Sequence, residues 1–312
     1  MTSGVGGSIA LRDGRLLAYA EWGDLNGHPL FDFRGLPSSR LGDAIDPAFL
    51  VSKRIRRITV DRPGMGESSF QPDRTLLEWA GDIAELADRL GLGRFWLLGT
   101  SGGGPYAAAC AYRMPDRVAR AAIVSGLGPL DRAGALDGLN EVEKQTMFLA
   151  RRWPLAARAV VRLAIGADRL RPGTIYRGLV RALPECDRRV VRRPQVRDSL
   201  IDSYRRAFAQ GTRGQVHDWA VIASPWGFRP EQIRVEVQLW HGDQDDRVPP
   251  HHAESLADAI PVSELAILQG EGHMIAFSHI EEILAALTAT GLDASASRLQ
   301  EPLPVGQVAV LD

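Results

Sequence analysis

A disulfide framework needs more cysteine than this chain has. Its 312 residues include two, Cys110 and Cys186, on unrelated segments. That points to a reduced, intracellular protein rather than a cross-linked scaffold. Neither sign of charge is in excess either. The formal net charge is −1, which excludes general nucleic-acid binding, because that needs a strong basic surplus. No stretch reaches the roughly 18 uninterrupted apolar residues of a membrane-spanning helix. The opening "MTSGVGGSIALRDGRLL" lacks a basic patch followed by a long apolar run, so no signal peptide is expected. Internal repeats are missing as well. The expectation is a cytoplasmic protein with no nucleic-acid and no membrane partner.

What is present is core material. Hydrophobic residues make up 45% of the chain, enough for one large domain with an insertion. Residues 8–22 read as a hairpin with "RDG" at the turn. Short apolar runs ending in turn residues fall at 56–60, 94–99, 121–126, 235–242 and 263–270. Between them, "TLLEWAGDIAELADRLGL" places Leu76, Trp79, Ile83, Leu86 and Leu90 on one helical face. Alternating strands and helices imply an α/β fold whose mostly parallel sheet is covered on both faces. In such sheets, sites form beyond the carboxyl ends of the strands.

The alternation breaks between about Pro129 and Phe228. Residues 151–206 hold 15 Arg, no Lys and 5 acidic residues. Most of that charge reads as solvated helix faces; the sharper reading is a lid that attracts anionic substrates or an acidic surface. The expected organisation is a core of 1–128 and 229–292, a helical cap of 129–228, and a C-terminal extension of 293–312. In that extension, "VGQVAVLD" suits an added strand.

The most informative stretch is "FWLLGTSGGGPYAAACAY", residues 95–112. Gly99-Thr100-Ser101-Gly102-Gly103 fits G-x-S-x-G after an apolar run and before a small-residue helix. A nucleophile at such a turn sits on a strained backbone that pushes its hydroxyl outward. Strand and helix approach so closely there that side chains at 99 and 103 would collide. Pro105 suits a first helical turn. A phosphate-binding loop would require G-x-x-x-x-G-K-[ST], and no lysine is present.

These residues, with "VDRPGMGESS" (60–69), "WHGDQDDRVPP" (240–250) and "GEGHMI" (270–275), resemble the α/β-hydrolase fold superfamily. The likeness is to the bacterial subgroup carrying G-x-S-G-G-G-P-Y, and it runs from about residue 8 to 290. A serine hydroxyl needs a base to take its proton. Of the seven histidines, His273 alone lies in a glycine-flanked loop after a late strand. Spacing leaves that choice open, and the resemblance selects it. The paired His251 and His252 have no complementary ligand cluster, so no metal is expected. "GDQDDRVP" offers Asp243, Asp245 and Asp246; the family pattern G-x-x-D-x-x-V-P implies Asp245, leaving the other two as loop charges or turn formers. The order Ser101, Asp245, His273 is the one expected of this fold.

One oxyanion donor is expected at the Gly102 N–H. The resemblance implies the second at Leu36, in "PLFDFRGLPSSRL" (29–41). Here the chain departs from the family, since Arg34 stands where a histidine is usual, with Asp32 two residues earlier. An unpaired charge on a buried strand is costly, so an Asp32–Arg34 pair, or partners nearby, is expected. If it is not structural, Arg34 is a substrate-binding residue for a carboxylate or carbonyl.

The implied activity is hydrolysis of a carboxylic ester or lactone of a small molecule, without cofactor or metal. The alternatives are a specialised enzyme using the same triad, such as a C–C hydrolase, perhydrolase or non-hydrolytic cyclase, and a non-catalytic ligand-binding protein.

Overall fold

The computed structural model describes residues 5–41 and 45–289; the anticipated extension of 293–312 lies outside them. Eight strands form one sheet in the order β1-β2-β4-β3-β5-β6-β7-β8. They are β1 (Val5–Ala10), β2 (Leu16–Gly23), β3 (His28–Phe33), β4 (Ile55–Val60), β5 (Phe95–Thr100), β6 (Val118–Val124), β7 (Val237–Gly242) and β8 (Ser263–Leu268). The β1–β2 and β2–β4 pairings are antiparallel, and all others are parallel.

The strand β5 shows why these runs are apolar throughout. Phe95 and Leu97 point into one buried cluster, while Trp96 and Leu98 point into another on the opposite face. The sheet is sandwiched, so a central strand such as β5 is buried along nearly its whole length, while the edge strands β1 and β8 keep exposed positions. The larger cluster is covered by α2 (Leu76–Arg89) and α3 (Gly104–Arg113), followed later in the chain by α10 (His251–Ala259). The smaller is covered by α1 (Pro47–Ser52) and by α12 (Ile280–Leu287), which follows the single turn α11 (Ile275–Ser278). The helix α2 starts where the sequence says it should. Thr75 and Glu78 form a reciprocal capping box, with Thr75 N–H donating to Glu78 at 2.6 Å.

Between β6 and β7 the chain leaves the sheet for six helices. These are α4 (Glu141–Arg152), α5 (Pro154–Leu170), α6 (Thr174–Ala182), α7 (Glu185–Val191), α8 (Pro194–Ala207) and α9 (Arg213–Ile222). They have small cores of their own. One of them, around Leu183, Val190, Val191 and Leu200, takes in Met274 from the loop that carries His273.

Candidate active site

Every candidate side chain sits past the carboxyl end of a parallel strand. Ser101 follows β5, Gly35 and Leu36 follow β3, Asp245 follows β7, and His273 follows β8. Ser101 adopts φ +52°, a left-handed conformation that non-glycine residues rarely take and that turns its hydroxyl out of the fold. The backbone beneath it has no room for side chains. A Cβ on Gly99 would come within 2.7 Å of both Ala107 Cβ and the Gly103 carbonyl, and one on Gly103 would strike the Phe33 carbonyl at 1.8 Å. These contacts explain why small residues surround the serine.

Ser101 Oγ lies 3.0 Å from His273 Nε2, and His273 Nδ1 lies 2.8 Å from Asp245 Oδ2. A carboxylate only accepts, so Nδ1 carries the hydrogen and Nε2 is left to accept from the serine hydroxyl. The other Asp245 oxygen, Oδ1, accepts from the N–H groups of Arg247 at 3.0 Å and Val248 at 2.9 Å. A second imidazole, His241, lies behind this carboxylate, its Nε2 2.7 Å from the Val248 carbonyl and 3.1 Å from Asp245 Oδ2. Burial alone would raise the Asp245 carboxyl, but the imidazoles of His273 and His241 outweigh it and hold it well below the usual carboxylate range. Burial would likewise lower His273, yet Asp245 beside it wins and raises the ring above its ordinary 6.5.

The predicted oxyanion donors also lie at the serine. A Cβ built on Gly35 would sit 3.8 Å from Ser101 Oγ, and one on Gly102 would meet the Leu36 side chain at 2.8 Å. Among the described residues, no loop or turn hydrogen bond engages the Leu36 N–H. Arg62 fixes the direction of the Leu36 N–H. Its guanidinium donates to the Arg34 carbonyl at 2.7 Å and the Gly35 carbonyl at 3.0 Å. In a planar trans peptide, a carbonyl held one way points the next N–H the other way, so Arg62 aims the Leu36 N–H. Arg62 is itself held by Asp218 of α9, which accepts its Nε at 2.7 Å. Asp218 is fully buried and also accepts from Arg74 and the Tyr106 hydroxyl. The two guanidinium groups overcome burial and keep this carboxyl below its usual range.

Of the two arrangements expected, the Asp32–Arg34 pair does not form, and a partner nearby is found. Asp32 instead accepts from Arg57 of β4 through two nitrogens, at 2.8 and 2.6 Å. The register explains it. Asp32 lies opposite Thr59, so Arg57 is its diagonal same-face neighbour, whereas Arg34 lies beyond the end of β3 at Phe33. Arg34, Asp32 and Arg57 all line a cavity of about 140 Å³ that opens at Ser101 and His273. Its apolar wall includes Leu139 and Met147 from the insertion and Trp219 and Ile222 of α9. Glu143 of α4 pairs with Arg247 beside it.

Three residues here escaped the sequence reading. Arg62 stands in "VDRPGMGESS", a stretch whose family likeness assigns the arginine no role. Asp218 and Asp187 lie in the insertion, where no motif marks them. Asp187, at the start of α7, is buried, and its carboxylate accepts the N–H groups of His273 and Met274, each at 2.9 Å. A Cβ on Gly272 would come within 2.5 Å of that carboxylate, so the glycine admits the contact. No local sequence signal sets Asp187 apart from Glu185 two residues earlier. Asp243 is a turn former, accepting from Gly270 N–H at 2.7 Å. His251 and His252 stack with ring centroids 4.6 Å apart.

Residues 33–280 match the family model described as alpha/beta hydrolase fold. A non-heme chloroperoxidase from Streptomyces lividans is 27% identical over 270 residues, covering 81% of this chain and 89% of that relative. Among solved structures, an esterase from Exiguobacterium antarcticum superposes with a TM-score of 0.66 at 18% identity, covering 91% of this chain and 98% of its own. An enol-lactonase from Burkholderia xenovorans gives 0.65 at 20% identity, covering 91% and 100%. At these identities the two structures speak for the fold alone.

Proposed function

The chain belongs to the α/β-hydrolase fold family, and on that premise we propose that it is a serine hydrolase acting on a carboxylic ester or lactone of a small molecule. The observation that supports this most is the unbroken line of hydrogen bonds from Ser101 through His273 to Asp245. Ser101 Oγ attacks the carbonyl carbon while His273 Nε2 takes the hydroxyl proton. Asp245 stabilises the imidazolium that results. The Leu36 and Gly102 N–H groups receive the oxyanion, with α3 adding the positive end of its dipole. His273 then returns the proton to the leaving alcohol. Water, activated by the same base, releases the acid from the acyl-enzyme. The chemistry needs no cofactor, and in this reading the insertion is a cap that supplies the apolar wall of the pocket.

The relative named as a chloroperoxidase favours a second reading. A perhydrolase would use the same acyl-enzyme and let hydrogen peroxide replace water. A panel of p-nitrophenyl esters from acetate to octanoate tests the first proposal. Hydrolysis is expected with the wild type and should fall on the order of 10⁶-fold in Ser101→Ala. No turnover of any ester or lactone by the wild type would contradict it. Peracid formation from acetate and hydrogen peroxide distinguishes the second.

A further inference from the structure

The helix α5 wears its apolar side outward. Its inner face is small: Ala157 is buried and Val161 packs with it against Ala150 and Val216. Leu155, Ala159, Val160, Leu163, Ala167 and Leu170 are exposed on the opposite side. At 100° per residue they fall on one stripe, about 22 Å long from 155 to 170. Leu155, Leu163 and Leu170 are 75%, 74% and 85% exposed, values unusual for leucine in a folded domain. The stripe continues into Trp153 and Phe148, whose rings meet edge to face at 5.9 Å.

What covers this stripe is indicated by its charge. Residues 151–171 carry six arginines and one acid, Asp168. Asp168 is already engaged by the Ile175 N–H at 3.0 Å. Arg152 lies over the Trp153 ring, and Arg162 and Arg169 run along one edge of the stripe. Arg152, Arg162, Arg169 and Arg171 form no ion pair among the described residues. A two-fold contact with another copy would face these cations with their own kind. An anionic lipid surface complements both features at once. Apolar side chains enter the boundary between headgroups and acyl chains, while arginines meet phosphate, and Trp153 suits that boundary.

The geometry points to α5 as a membrane-surface docking helix that selects anionic lipid. The absence of a spanning segment, which led to the expectation of no membrane partner, does not bear on a helix that lies in the interface. The stripe also reaches the pocket. Met147 lines both the cavity at Ser101 and a neighbouring apolar groove formed with Phe148, Arg151 and Arg152. Docking would bring that side of the enzyme to the lipid.

Co-sedimentation of the whole chain with vesicles tests this without any assay of activity. Wild type is expected to pellet with vesicles of phosphatidylcholine and phosphatidylglycerol, and to stay in solution with phosphatidylcholine alone. High salt should weaken the binding. The double variant Leu155→Glu, Leu163→Glu should lose binding by about tenfold or more while keeping its thermal midpoint. Arg162→Glu with Arg169→Glu should weaken it by a similar factor. Wild type that stays in solution with the anionic vesicles overturns the proposal, as does pelleting that the leucine variant does not reduce. A wild-type dimer that this variant turns into monomers, with no vesicle binding, assigns the stripe to a second copy instead.

Discussion

The insertion has two sides that obey opposite rules. Toward the sheet it sends two buried acids, Asp187 and Asp218, and each is fully engaged. One holds the N–H groups of His273 and Met274, and the other holds Arg62, Arg74 and Tyr106. Away from the sheet, α5 presents leucines to solvent beside arginines that form no ion pair among the described residues. Burying a charge is tolerated only with partners, so the inner side is organised by what it must satisfy. The outer side of α5 packs against no core among the described residues. Residues of the inner side should therefore affect stability and chemistry, and residues of the outer side neither.

Substitutions can break that contrast, and Asp245→Asn sets the scale. It favours the wrong imidazole tautomer and is expected to cost about 10⁴ in kcat with the fold intact. Asp218→Asn leaves two buried guanidinium groups without a carboxylate. It should cost about 3 kcal/mol or more, read as a lower thermal midpoint. Asp187→Asn should lower kcat by about tenfold with little change in KM, because a loosened His273 loop misplaces the base. It also has a signature that loss of packing alone would lack. The Asp187 charge favours the protonated ring of His273, so its removal should move the acid limb of the pH profile to lower pH. At the small end, Leu155→Glu, Leu163→Glu should stay within about 0.5 kcal/mol of wild type in stability and hydrolyse a water-soluble ester unchanged. A drop in either would mean the outer face belongs to the fold after all.

The same divide marks what the sequence made legible. Strands buried on both faces read as apolar runs, and β4 to β7, with the more exposed edge strand β8, fall within a few residues of where such runs stand. The serine turn was legible because steric crowding leaves glycine as nearly the sole solution at 99 and 103. The loops holding Asp245 and His273 were found through family wording more than through spacing. Contacts set by tertiary register were not legible. Arg57 becomes the partner of Asp32 only when β3 and β4 pair in one particular offset. Asp187 and Asp218 act across 86 and 156 residues of chain, on His273 and Arg62, and nothing local distinguishes them from solvated acids.

The central claim is that Ser101 is made nucleophilic by His273 under the charge of Asp245. It is tested most directly by following phosphonylation of the intact enzyme by a fluorophosphonate across pH, with the adduct mapped by mass. The account predicts one adduct, on Ser101, with a rate that rises through a pKa above the ordinary 6.5 of histidine as His273 loses its proton. That rise should disappear in His273→Gln. An adduct on another residue, or a rate indifferent to the loss of His273, would contradict it.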